Sequence, residues 1–81
     1  MTDKEYILQQ VSTLNDEQAH FLVLVIMVFR GEAPDTRDAR IAAAVLYQIR
    51  GLKVWQIANE LHCSDRHVYR MLAEFKQRTR Q

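Results

Sequence analysis

Between Leu52 and Phe75 the apolar residues fall into two helical stripes with a short break between them. Val54, Ile57, Ala58 and Leu61 recur at i, i+3, i+4 and i+7, and Val68, Met71, Leu72 and Phe75 repeat that spacing. This is the periodicity of an amphipathic α-helix. Each stripe is too short to be stable alone in water, so each needs the other's apolar face. His62-Cys63-Ser64 lies between them, with Ser64 placed to cap the second helix. The outer face of that second helix is left with Asp65, Arg66, His67, Tyr69 and Arg70. That surface is rich in hydrogen-bond donors and nearly free of bulky aliphatics.

The rest of the chain also reads as helix, which makes the fold class all-α with about five helices. Two Gly and one Pro in 81 residues leave few turns. Thr2 or Asp3 can cap a short first helix carrying Tyr6, Ile7, Leu8 and Val11 and ending near Leu14. Asn15 caps a second, with Gln18 three residues on as in a capping box, and Asp16 and Glu17 where the helix dipole favours negative charge. It should run to about Arg30 and stop at Gly31. Its middle, Phe21 to Phe29, is apolar on every face. A strand is the rival reading there, but no second strand is visible to pair with it, and the capping signals favour helix. A helix with no polar side is either a central core helix or an interface. Asp35 or Thr36 caps a third helix, with Ile41, Val45 and Ile49 on one stripe, Ala42 and Leu46 beside it, and Gly51 as its stop. The last residues, Lys76 to Gln81, are expected to fray.

A chain of 81 residues is one small domain, and a core of this size is marginal unless supplemented. One cysteine excludes an internal disulfide. His62, Cys63 and His67 lack a fourth zinc ligand and any paired-Cys spacing, so no metal or cofactor is expected. Cys63 reads as a core residue and His20 as a helix-surface residue. Oligomerisation is the remaining supplement, and the apolar 21–29 helix is its natural site. No Gly-rich phosphate loop, metal signature or nucleophile motif is present, so the chain is not expected to be an enzyme. The acidic start MTDKEY does not read as a secretory signal, and nine apolar residues fall short of the roughly 20 that span a bilayer. The expected location is therefore cytoplasmic, with no membrane partner.

The net charge of +1 hides an uneven distribution. Residues 1–34 carry Lys4 and Arg30 against Asp3, Glu5, Asp16, Glu17 and Glu32, a balance of −3. Residues 35–81 carry nine Lys and Arg against five Asp and Glu, a balance of +4. The local field is what a phosphate backbone meets, and the positive half holds the paired stripes. The single domain thus divides into 1–34, which builds core and dimer, and 35–81, which meets nucleic acid.

The segment GLKVWQIANELHCSDRHVYRML resembles the helix-turn-helix of bacterial and phage DNA-binding proteins. It is similar to the three-helix form of response-regulator effector domains, sigma-factor C-terminal domains and invertase-type recombinases. The resemblance covers residues 36–76. It rests on Ile57 followed by small Ala58, where the helices cross closest, and then on Leu61, Val68 and Met71. Three positions depart from it: His62 stands in place of the usual turn Gly, Cys63 in place of an aliphatic, and Lys53 in place of a capping Ser or Thr.

The resemblance implies that the helix from Asp65 to about Phe75 is a recognition helix, with Arg66, His67, Tyr69 and Arg70 at positions that meet bases or phosphates. Arg66 and Arg70, four apart, can each give a bidentate contact to guanine. Ser64 can donate to phosphate while capping, and Asp65 is a first-turn acid. Lys53, Trp55 and Gln56 match the start of the helix that crosses the sugar-phosphate backbone. Trp55 has a second reading, as a residue packed against the third helix. The implied function is sequence-specific binding of double-stranded DNA by a small transcriptional regulator acting as a homodimer. Two other readings stay open: an adaptor docking on a transcription factor or polymerase through 21–29, and the DNA-targeting subunit of a recombination or replication complex.

Overall fold

In a computed structural model that describes residues 2, 3, 5 and 13–80, Asn15 starts the helix 16–29 as its neighbours predict. Asn15 Oδ1 accepts from the Gln18 N–H at 2.8 Å, and Gln18 Oε1 accepts from the Asn15 N–H at 3.1 Å. Four helices follow one another: α1 Asp16–Phe29, α2 Arg37–Ile49, α3 Val54–Leu61 and α4 Asp65–Arg78. No strand occurs among the described residues. Among the described residues the count is four where about five were expected. The expected N-terminal helix falls largely on 6–12, outside the described residues. Its start is seen in Asp3 and Glu5, both helical, with the Thr2 hydroxyl accepting from the Glu5 N–H at 3.2 Å and Glu5 Oε2 accepting from the Thr2 N–H at 3.4 Å.

Three helices stop in the same way. In each, a residue in the left-handed region turns the chain, and the next N–H returns to the carbonyl five residues earlier. The turning residues are Gly31 at φ 73° and Gly51 at φ 91°. The return bonds are Glu32 N–H to Met27 at 2.8 Å and Leu52 N–H to Tyr47 at 3.0 Å. The third stop, after α3, has His62 in the glycine's place at φ 54°, with Cys63 N–H bonded to the Ala58 carbonyl at 3.0 Å. The side chain of Arg40, from α2, adds a donor to the Leu61 carbonyl at 2.9 Å. This αL turn costs a non-glycine residue about 1–2 kcal/mol, which the surrounding hydrogen bonds and packing must offset.

The central element is α2. Thr36 caps it, with Oγ1 accepting from the Ala39 N–H at 3.2 Å. Ile41, Ala42, Ala43, Ala44 and Val45 are all buried, because α1, α3 and α4 each pack on this helix. Five consecutive buried positions leave no outward face, and three alanines let the neighbouring backbones come close. Phe21 and Leu24 of α1, Ile57 and Ala58 of α3, and Val68, Met71 and Leu72 of α4 complete the core. Cys63 is half-buried and packs against it. Ile49, expected on the inner stripe, is exposed; it lines an open apolar hollow with Phe21, Leu22, Val25, Val45 and Phe75.

The uniformly apolar 21–29 stretch of α1 is only half used by this core. Phe21 is buried and meets Phe75 edge-on, with ring centroids 5.3 Å apart. Leu22, Val23, Ile26 and Phe29 face outward, Phe29 with 70 % of its surface exposed. No helix among the described residues is long and apolar enough to cross a membrane.

The C-terminal segment does not fray as expected at Lys76. α4 continues to Arg78, whose guanidinium fastens it to α1 and α2. Arg78 Nη1 and Nη2 donate to the two Asp38 oxygens at 2.8 and 3.1 Å, and Nε donates to Glu17 at 3.0 Å. Glu74 accepts at 3.3 Å, and the guanidinium carbon lies 4.8 Å from the Phe21 ring centroid. Gln18 Nε2 adds a bond to the Thr79 carbonyl at 2.8 Å. The Asp38 carboxyl is held down at about 2 by its bonds to Arg78 and then to His20, which sits 2.8 Å away. The bond to Asp38 foremost, and then that to Glu17, holds the Arg78 guanidinium above its ordinary value.

Candidate nucleic-acid interface

The short α3 and the longer α4 meet through Ile57, Ala58, Val68, Met71 and Leu72, all buried. Ala58 has no side chain beyond its methyl, so the two helices close on each other there. With that face of α4 turned inward, its opposite face must be turned out. Arg66, Tyr69 and Arg70 are exposed, Tyr69 with 62 % of its surface accessible, and His67 is half-buried at the edge of the same face. Arg66 and Arg70 form no ion pair with the described residues, in contrast to Arg37 and Arg78, so their guanidinium donors face solvent.

Ser64 holds the start of this helix. Its Oγ accepts from the His67 N–H at 3.2 Å, and the exposed hydroxyl keeps its own proton to donate. Asp65 occupies the first turn, next to the unsatisfied N–H groups, as a stabilising acid.

The start of α3 is capped in a less usual way. Lys53 occupies the cap position, and an ammonium has no oxygen to accept a backbone N–H. Only the reciprocal half of a capping box forms, with Gln56 Oε1 accepting from the Lys53 N–H at 2.8 Å. The Gln56 amide NH2 and the Lys53 ammonium remain as donors at that helix end. Trp55 is 55 % exposed, so its reading as a residue packed against the preceding helix is not realised.

The eight residues singled out in the sequence thus lie at the start of α3 (Lys53, Trp55, Gln56) and the first two turns of α4 (Ser64, Arg66, His67, Tyr69, Arg70). Sequence reasoning passed over Arg37. It sits in the first turn of α2, and its Nη2 is held by Glu74 Oε1 at 2.9 Å. That bond lowers the Glu74 carboxyl and raises the Arg37 guanidinium relative to their ordinary values. Arg37, His67, Arg70, Ala73, Glu74 and Gln77 line one open polar hollow of about 510 Å³ beside α4. No local pattern marks Arg37, because it reaches Glu74, 37 residues away in sequence, only through the crossing of two helices. Among the described residues no group of His, Cys, Asp and Glu is arranged to hold a metal ion.

Comparison with known proteins agrees with this geometry. No curated protein and no solved structure matches the chain significantly. The family of homeodomain-like domains, however, matches residues 34–80, which takes in α2, α3 and α4. The chain therefore belongs to the homeodomain-like family of helix-turn-helix domains, a DNA-binding and non-enzymatic kind of domain.

Proposed function

We propose that this protein binds double-stranded DNA in a sequence-specific manner, with α4 in the major groove and the start of α3 on the sugar-phosphate backbone. The observation that carries this reading is the division of α4. Val68, Met71 and Leu72 are fully used by the core, while Arg66, Tyr69 and Arg70 project from the opposite side, the two arginines with no ion pair to the described residues. Arg66 and Arg70 are base readers with bidentate geometry for guanine. Lys53, Trp55, Gln56, Ser64 and His67 position the domain on phosphate and sugar. The role is that of a small transcriptional regulator in a cytoplasmic compartment, with 1–34 serving assembly and 35–81 serving DNA.

The exposed apolar stripe of α1, formed by Leu22, Val23, Ile26 and Phe29, supports pairing of two copies. A single helix-turn-helix makes few base contacts, and a two-fold pair doubles them and matches palindromic sites. The same stripe favours a second reading, in which it docks a transcription factor or polymerase and the chain is an adaptor.

Selection of bound duplexes from a random library tests the first reading. A palindromic consensus is expected, and Arg70→Ala should relax preference at one base position with a loss of about 1–3 kcal/mol. Unchanged selection by that variant overturns the recognition-face assignment. Failure to retain any duplex at low salt leaves the adaptor reading in place of DNA binding, because phosphate contacts are strongest there.

A further inference from the structure

We propose that Arg37 is a DNA-phosphate contact that extends the footprint onto α2, and that Glu74 is its positioning residue. The inference rests on the reading of α4 as the recognition helix. A phosphate beside that helix needs a cation at the rim of the binding face, oriented and not buried. Arg37 meets each condition. It is exposed, and it lines the same hollow as His67 and Arg70. Its placement is fixed by a bond of 2.9 Å to Glu74, a residue of α4 itself.

A guanidinium offers five donors in a planar fork. One Nη2 donor is held by Glu74, so the remaining donors can meet a phosphate without first losing the freedom of a loose side chain. The Glu74 carboxylate does not make the hollow acidic, since it is shared between Arg37 at 2.9 Å and Arg78 at 3.3 Å. With Arg37 and Arg70 against Glu74 in its lining, the hollow is cationic overall. Ala73 adds little bulk to the lining, and Gln77 adds an uncharged donor. A backbone running along this rim would meet Arg37 and Gln77 while Arg66 and Arg70 face the groove.

The pair has a plainer reading as a tie between α2 and α4, and the two readings differ in what salt does. Binding to a random duplex and to a selected site is measured across a salt series for the wild type, Arg37→Gln, Arg37→Lys and Glu74→Gln, each checked for helical content. Removing one phosphate contact lowers the slope of log affinity against log salt by about 0.9, equally on both duplexes. Arg37→Gln should show that loss with its sequence preference intact, and Arg37→Lys should restore the slope. Glu74→Gln should keep the wild-type slope, because the cation is still present, and bind more weakly through loss of orientation. If Arg37→Gln keeps the wild-type slope, the contact does not exist, although α4 still reads DNA. A fall in slope for Glu74→Gln equal to that for Arg37→Gln overturns the assignment of the two roles. If the wild type shows no salt-dependent binding to either duplex, the reading of α4 fails, and this one with it.

Discussion

Replacing Arg78 by Met keeps an apolar stem near Phe21 and removes only the guanidinium. Exposed ion pairs contribute about 0–1 kcal/mol, and hydrogen bonds to charged groups about 1.5–3 kcal/mol when shielded. Arg78 lies between these limits. Its side chain is 30 % exposed and Asp38 is 28 % exposed, so the bidentate Asp38 contact supplies most of the effect. Glu17 is 47 % exposed and Glu74 is held at the longer distance of 3.3 Å, so both stand at the low end. The expected loss is about 2–3 kcal/mol, equivalent to a fall in Tm of roughly 10–20 °C for a domain of this size. The measurement is urea unfolding followed by circular dichroism at fixed protein concentration, with Asp38→Asn and the double variant completing a cycle. A coupling energy of about 1 kcal/mol or more is expected between the two sites.

Acid titration gives an independent arm of the same prediction. The Asp38 carboxyl titrates at about 2 when folded, against 3.8 as an ordinary side chain. A folded-state value below the unfolded one means that the stabilisation is complete above the unfolded value and disappears as pH falls through the folded one. Wild-type stability should therefore decline from about pH 5 down to about pH 2, and Arg78→Met should show a flatter decline. A loss under about 0.5 kcal/mol, or an acid profile identical to wild type, would refute the reasoning, because the clamp would then be no more than a surface ion pair.

Other changes follow from single residues. His62→Gly should stabilise the fold by about 0.5–1 kcal/mol in thermal melts, since φ 54° suits glycine; a destabilised variant would mean that the imidazole makes contacts that outweigh the turn. Ala58→Leu should cost about 1–3 kcal/mol or more and lower the denaturant midpoint, because the position is buried between helices. Ile26→Asp alters only an exposed residue of α1, so each copy should stay helical while sedimentation shows single copies in place of pairs. Persistence of pairs would place the interface elsewhere.

What the sequence announced was mostly local. Asn15 with Gln18, Thr36 and Ser64 act within three residues of themselves, so the caps of α1, α2 and α4 are legible without a fold. The stripes of α3 and α4 are legible for the same reason, and with them the outward face bearing Arg66 and Arg70. The tertiary pairings were not. Arg78 reaches Glu17 across 61 residues and Asp38 across 40, and nothing near Arg78 in the chain distinguishes it from a solvated tail cation. Trp55 illustrates the converse. An indole beside a helical stripe reads as packing material, but the second position of α3 points away from α2. Period alone also failed at Ile49, where the stripe continues onto the rim of an open apolar hollow.

The Arg78 clamp has a consequence for the pitch of a binding site. It ties the far end of α4 to α1, so the donor face and the apolar stripe keep a fixed angle to each other. In the proposed pair, the separation of the two recognition helices is then dictated by how two α1 stripes meet, with no flexible joint between. One added base pair turns a half-site by about 34° around the duplex axis. A molecule hinged between α1 and α4 would follow that rotation; this one should reject it, tolerating base changes within a half-site better than any change in spacing.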